Sequence, residues 1–405
     1  MTASFSAYAW WEPWDLLPAG LDATLDYLAG EVGVDGLCVS ATAGEVHAFR
    51  PRSAATPRTI RCPPAAHFQP AARCYAESRL RPMTAAWIRS TNPLEQIVKA
   101  CEKRRLKLRV RAVLLHAPPL VEKYAFAACK DAFGDASPAR LCPGNPDVRA
   151  YAAGMIEDLT TNYEIDTVDI DEADFGPAAG FHPGRLIAVS SGLWAPGVRC
   201  FCESCRQAAA EAGVDVEAAA LAARTALESA LADADPAPQG GGPRSAAEAD
   251  SGGAYERLRR DAVTQLFAAM KRRARRPLWA VYGDDAQRDR GVDWLRIREF
   301  LEGGLLTCDS IAAASTTGES IGVLADALGG AARVGIVRSL APEVRPAPAS
   351  ASSTELVAAT TALAVTGHRV FIFGDCGIAP PHRLEWVRQA VRFARREASA
   401  GSAKP

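Results

Sequence analysis

The strongest constraint on the fold is a rhythm: short β-branched or apolar runs alternate with helix-forming stretches along almost all of the 405 residues. Strands are predicted at Phe5–Trp10, Gly36–Ala41, Lys107–Ala117, Thr167–Phe175, Leu278–Tyr282, Leu306–Ala313, Arg333–Leu340 and Arg369–Gly374. Helices are predicted near Leu21–Glu31, Pro93–Arg105, Pro146–Leu159, Arg206–Ala232, Tyr255–Arg275, Asp293–Glu302, Gly318–Leu328, Thr354–Thr366 and Pro381–Glu397. A crossover helix lets each strand lie parallel to the last, and eight such units close a sheet on itself. The expected class is therefore α/β, a (β/α)8 TIM barrel with irregular loop insertions. An open doubly wound sheet fits less well, because no G-x-G-x-x-G opens a helix after the first strand.

A single domain is expected over residues 1–398, with a disordered tail at 399–405. A flexible insertion at about 233–253 interrupts it, where Ala, Asp, Pro, Gly and Ser leave almost nothing large to bury. Pro51–Arg81, rich in Pro and Arg, has no sustained period and reads as an irregular excursion. Two helix starts are explicit: Asn92 caps with Pro93 behind it and Glu95 placed for a capping box, and Asn145 caps with Pro146 behind it. From the second, Val148, Tyr151, Ala152, Met155 and Leu159 form one core-facing stripe.

Forty-six basic and forty-seven acidic residues are spread along the chain without a basic stripe. Nucleic acid is thus not an expected partner, and a polyanionic substrate is disfavoured. The N-terminus lacks a basic n-region and nowhere do eighteen apolar residues run together, so no membrane partner is expected and a soluble, cytoplasmic protein is. Self-association stays open.

Thr167–Phe175 reads T-V-D-I-D-E-A-D-F, a strand that ends in Asp169, Asp171, Glu172 and Asp174. Carboxylates on an inner strand must be paired, bind a metal or do chemistry, because burying one alone costs several kcal/mol. Alternation puts Asp169 and Asp171 on one face and Glu172 and Asp174 on the other.

Eleven cysteines in a chain of this length argue for reduced thiols rather than a disulfide framework. Cys38, Cys101, Cys308 and Cys376 sit in apolar contexts and read as core filler. Cys200, Cys202 and Cys205 instead form C-x-C-x-x-C, three soft ligands close enough to face one ion. Cys129 and Cys142 compete for the fourth place. Cys142 is preferred because it precedes a helix N-cap, where a thiolate ionises more readily. Cys142, Cys200, Cys202 and Cys205 would make a closed, structural zinc site.

The segment Cys142–Tyr151, C-P-x-N-P-x-V-R-x-Y, and the later C-x-C-x-x-C resemble the zinc-cysteine cluster of family 42 β-galactosidases. There a C-P-x-S-P-x-Y-R segment supplies one thiolate and a C-x-C-x-x-C the other three. The stretch Leu141–Arg206, with its D-L-x-x-x-Y-x-x-D-x-x-D-x-D centre, is similar to glycoside-hydrolase-like TIM barrels that carry L-C-P-x-N-P-x-V-R and C-F-C-x-x-C. The resemblance implies a barrel, zinc on those thiols and a small or oligomeric neutral carbohydrate as substrate. It is not complete. The fourth strand reads D-I-D-E, without the Asn-Glu pair of retaining family 42 enzymes. Against the D-G-x-D-x-D-x-E strand of family 18 chitinases, Ala173 takes the acid's place and Glu172 comes one position early.

Glycoside hydrolysis needs one protonated and one ionised carboxyl, and in a barrel both must stand at the C-terminal ends of strands. By that rule the catalytic candidates are Asp171, Glu172, Asp174 and Glu343, with Asp171 as nucleophile or electrostatic stabiliser and one of its two acidic neighbours, Glu172 narrowly ahead of Asp174, kept protonated by the clustering. Asp285 and Asp309 also stand at strand ends. Trp10, Trp11, His47, His116, Tyr282, Asp284 and Asp375 are candidate substrate contacts. Two other classes fit the same residues. One is a non-catalytic carbohydrate-binding barrel, and the other a metal-dependent lyase or isomerase using His47, His116 or His182 with the carboxylates.

Overall fold

The structure, a computed structural model, describes residues 5–53, 57–176, 199–232, 253–282, 290–308, 314–341 and 352–401. Its centre is a closed parallel barrel of β1 (Ser6–Trp10), β2 (Gly36–Ala43), β3 (Lys107–Val113), β4 (Thr167–Asp171), β5 (Leu278–Tyr282), β6 (Gly303–Cys308), β7 (Val334–Ser339) and β8 (Val370–Gly374). Each strand pairs with its sequence neighbours, and β1 pairs with both β2 and β8. Closure removes the open edges of the sheet. The fold is thus the (β/α)8 TIM barrel that the alternation predicts.

Strand alternation sorts the side chains into two layers. Outward residues such as Leu37, Val110, Ile170, Ile336 and Phe371 join the surrounding helices in one large apolar core. Inward residues Tyr8, Cys38, Trp279, Leu305, Val337 and Ile372 form a separate cluster inside the barrel. The bulkiest of these stand beside glycines on the next strand, Tyr8 opposite Gly36, Trp279 opposite Gly303 and Leu305 opposite Gly335. A Cβ on any of the three glycines would come within 2.7 Å of its large neighbour. Glycine at these positions is what admits the large side chain.

The inner positions of β3 and β4 are charged rather than apolar. Arg109 and Asp169, both buried, form a two-pronged pair with Nη2–Oδ1 at 2.5 Å and Nε–Oδ2 at 3.1 Å. The guanidinium lies 5.3 Å from the Tyr8 ring and 4.8 Å from the Trp279 ring. Paired geometry and aromatic faces together make burial of two charges tolerable.

Several boundaries differ from expectation. The first helix starts at Pro13, directly after β1, and runs to Tyr27 with a break at Gly20 (φ 99°). Within Pro51–Arg81, Thr59–Cys62 pairs with Val46–Phe49 in a hairpin, while Phe68, Tyr75 and Leu80 are fully buried. The helix expected over Arg206–Ala232 is two, Glu203–Glu211 and Val216–Ala232, separated by Gly213 at φ 68°. The last helix, Pro381–Gly401, reaches into the stretch expected as a tail; of the insertion expected at 233–253, residues 233–252 lie outside the described residues and Gly253 begins the next helix. Among the described residues no helix is long and apolar enough to cross a membrane.

Candidate active site and metal centre

The acids of β4 go to two places. Asp171 continues the inward face of Asp169: its Oδ2 pairs with Arg111, and its Oδ1 accepts from the amide of Glu172 at 2.8 Å. Arg111 lies 4.9 Å from the ring of Trp10, the last residue of β1. Glu172 then adopts a left-handed φ of 53°, which a non-glycine residue rarely takes, and the chain leaves the strand.

Glu172 and Asp174 therefore sit at a separate corner built on Arg140, which lies on the short strand Ala136–Leu141. Arg140 Nη2 is 2.5 Å from Glu172 Oε2, and its Nη1 is 4.0 Å from Asp174 Oδ1. Burial would raise the Glu172 carboxyl, but the charge and hydrogen bond of Arg140, with His116 and Arg290 nearby, together outweigh it and hold the group below the usual carboxylate range. Glu172 is thus ionised at neutral pH, which corrects the preference for it over Asp174 as the protonated neighbour of Asp171. Burial pushes Asp174 up to about 6 despite Arg140 and Arg290 nearby. His116 is bridged through its backbone to Arg140, and burial together with that guanidinium lowers its pKa, keeping the ring neutral. A cleft of about 820 Å³ opens beside this corner, lined by His116, Glu122, Pro63, Pro118 and Pro138.

The carboxyl that sequence reasoning passed over is Glu12. It follows β1 by two residues and caps the first helix, with Pro13 at the first helical position, but its side chain makes no capping bond. Instead Oε1 accepts from Ser40 Oγ at 3.1 Å, while Oε2 is buried with no hydrogen-bond partner among the described residues. Burial pushes this carboxyl up to about 7, with Arg111 pulling the other way. Arg111 is accordingly flanked by Asp171 and Glu12. Asp15, one turn on, is raised to about 6 by burial against the pull of Arg50. Asp375, at the end of β8 with φ 57°, accepts from Ser339 Oγ at 2.5 Å. The signal for Glu12 was present, since it too is a carboxylate at the C-terminal end of a barrel strand. It was obscured by W-W-E-P-W, which reads first as an aromatic loop.

Among the aromatic candidates, only Trp10 stands on the inner face. Trp11 is 2% exposed in the outer core with Arg52 5.5 Å from its ring, so it offers no face to a ligand. Tyr282 is also turned outward, packing 5.6 Å from Trp294, because residues of β5 alternate and Trp279 takes the inner side. His47 stands exposed on the hairpin strand Val46–Phe49, opposite Arg61. Glu343, Asp284, Asp285, Asp309 and His182 lie outside the described residues.

The four cysteines come together. The Sγ atoms of Cys142, Cys200, Cys202 and Cys205 all lie within 4.8 Å of one another and all four residues are buried. Cys142 is 3.5 Å from Cys205 and 3.7 Å from Cys200. An ion about 2.3 Å from each of four tetrahedral sulfurs sets them about 3.8 Å apart, so the donor set fits a soft-ligand metal. Cys142 therefore takes the fourth corner. Cys129 packs beside it, its thiol kept neutral by burial. The amide of Lys130 donates to Cys200 Sγ at 3.4 Å, and Arg149 faces Cys142 and Cys205 with positive charge. Among the described residues this is the group of His, Cys, Asp and Glu side chains placed to share a metal ion.

No family model and no curated protein matches the chain. Solved structures do match it. A β-galactosidase from the psychrophilic Marinomonas ef1 superposes with a TM-score of 0.58 at 10% identity, covering 98% of this chain and 61% of that one. An α-L-fucosidase isoenzyme from Paenibacillus thiaminolyticus gives 0.53 at 10% identity, over 99% of this chain and 50% of that one. A GH36 α-galactosidase from Geobacillus stearothermophilus in complex with stachyose gives 0.52 at 10% identity, over 97% and 42%. The chain thus spans between 42% and 61% of the length of these three proteins. At such identity the likeness shows the fold alone, a barrel of the kind found in glycoside hydrolases.

Proposed function

We propose that this chain is a glycoside-hydrolase-like enzyme whose neutral carbohydrate substrate docks at the C-terminal mouth of the barrel. The observation that carries this reading is a pair of unlike carboxyls that both act on Arg111. The Glu12 carboxyl is pushed up to about 7, with Oε2 unpartnered among the described residues, and Asp171 is ion-paired. Glycosidic cleavage requires that division: an acid to protonate the leaving oxygen and a carboxylate to meet the developing sugar cation. Glu12 is the proton donor, Asp171 the nucleophile or stabiliser, and Trp10 the apolar surface for a sugar ring. Asp15 and Asp375 are placed to take hydroxyls. Asp174 and His116 belong to the neighbouring corner and act through it, and Glu343 and Asp284 stay candidates on the sequence. Cys142, Cys200, Cys202 and Cys205 would hold Zn²⁺ as a closed structural site with no open coordination position.

The test is a panel of 4-nitrophenyl and 2,4-dinitrophenyl glycosides. Glu12→Gln should slow the nitrophenyl substrate by about 10²–10⁴-fold and the dinitrophenyl one far less, since the better leaving group needs no proton. Asp171→Asn should abolish both. Equal, undiminished turnover by both variants would remove the proposal. A second reading is a carbohydrate-binding barrel without turnover, favoured by the guanidinium partner that each of Asp169, Asp171 and Glu172 has. It predicts sugar binding by calorimetry with no hydrolysis across the panel.

A further inference from the structure

The cysteine centre and the exit of β4 are joined by a very short piece of chain. Cys142 is a corner of the thiol group, and Arg140, two residues before it, carries the guanidinium on which Glu172 and Asp174 converge. The connection has no slack. Cys142 donates its amide to Ala127 at 2.8 Å, Leu141 donates to Leu115 at 2.9 Å, and the amide of Arg140 is held by Ser137 Oγ at 3.0 Å. On the far side of the guanidinium lies Gly176, where a Cβ would come to 2.1 Å from Arg140. The side chain is 4% exposed, so it is packed between the metal corner and the backbone it organises. The other three thiols, Cys200, Cys202 and Cys205, belong to the chain that returns after that exit.

We propose that Arg140 is a positioning residue through which metal binding sets the charge and geometry of the strand exit. With metal bound, Cys142 is fixed, and Arg140 with it. Glu172 is then held ionised in its left-handed turn, facing Arg140, His116 and Arg290. Without metal, four buried thiols lose their common partner, the Cys142 corner loosens, and Arg140 withdraws from Glu172. The barrel itself, held by its own core, persists. This inference does not depend on which reaction the mouth performs.

The experiment follows Glu172 rather than activity. Protein labelled with ¹³C at glutamate carboxyls is titrated by NMR, with Glu172→Gln assigning the signal, while elemental analysis reports metal and far-UV circular dichroism reports the fold. Metal-loaded wild type should titrate at Glu172 below the ordinary glutamate midpoint. Chelated wild type and Cys202→Ser should show that midpoint rising by about one pH unit, with helix and strand content unchanged. Arg140→Met should show the same rise with its metal retained, and Arg140→Lys should recover part of the depression. An identical Glu172 midpoint with and without metal would overturn the inference. So would global unfolding on chelation, since the effect proposed is confined to the strand exit, and so would loss of metal from Arg140→Met.

Discussion

Glu12 shows how one side chain can set a pH dependence at the site. Its carboxyl is raised to about 7 by burial, whereas in an unfolded chain it would titrate near the ordinary glutamate value. Between those values the folded protein binds the extra proton, so the contribution of Glu12 to stability is complete at low pH and is lost as pH rises through about 7. Gln carries no such charge. Glu12→Gln should therefore match the wild type in urea unfolding at pH 4.5 and exceed it at pH 8, by on the order of 2–3 kcal/mol. A constant difference between the two pH values would mean that Glu12 is not buried as the structure has it. Under the proposed function the same titration acts from the other side, since Glu12 would donate its proton best below neutrality.

At the scale of elements, the glycines opposite large inner residues set where strands begin. Gly303 starts β6 against the ring of Trp279 and the carbonyl of Arg333, where a Cβ would come to 2.7 Å and 2.4 Å. Gly303→Val should cost about 3 kcal/mol or more in chemical denaturation, whereas Gly322→Ala, with open space around it, should be neutral or slightly stabilising. The same contact explains a boundary that patterning misplaced. Gly303–Gly304 looks like a loop before Leu306, and it is the parallel pairing with Trp279 and Ala280 on the neighbouring strand that makes it strand. What was legible from residues alone was whatever depends on short-range order: the strand and helix alternation, the capped starts at Asn92 and Asn145, and the cysteine spacing that brought Cys142 to Cys200, Cys202 and Cys205. Arg140 and Arg111 were not legible as partners of Glu172 and Asp171, because each pairing spans many residues and nothing local marks an arginine as buried. Trp11 and Tyr282 were misassigned for a related reason. Composition marks an aromatic residue as useful, but only strand parity says which way it points.

Across the whole molecule, the barrel interior sets a buried charge pair on β3 and β4 beside an otherwise apolar cluster. Removing one member of the Arg109–Asp169 pair leaves a buried, uncompensated ion, and Arg109→Met or Asp169→Leu alone should destabilise by about 3–5 kcal/mol. The double variant should recover most of that loss, since Met and Leu restore an apolar interior between Tyr8 and Trp279. Denaturant unfolding of all three variants measures the coupling, and simple additivity of the two single losses would show that the pair is not the unit. The arrangement also bears on descent. Neither residue can drift by itself without an intermediate that folds poorly, so in a lineage carrying this barrel the arginine of the third strand and the aspartate of the fourth should be inherited, or exchanged, together.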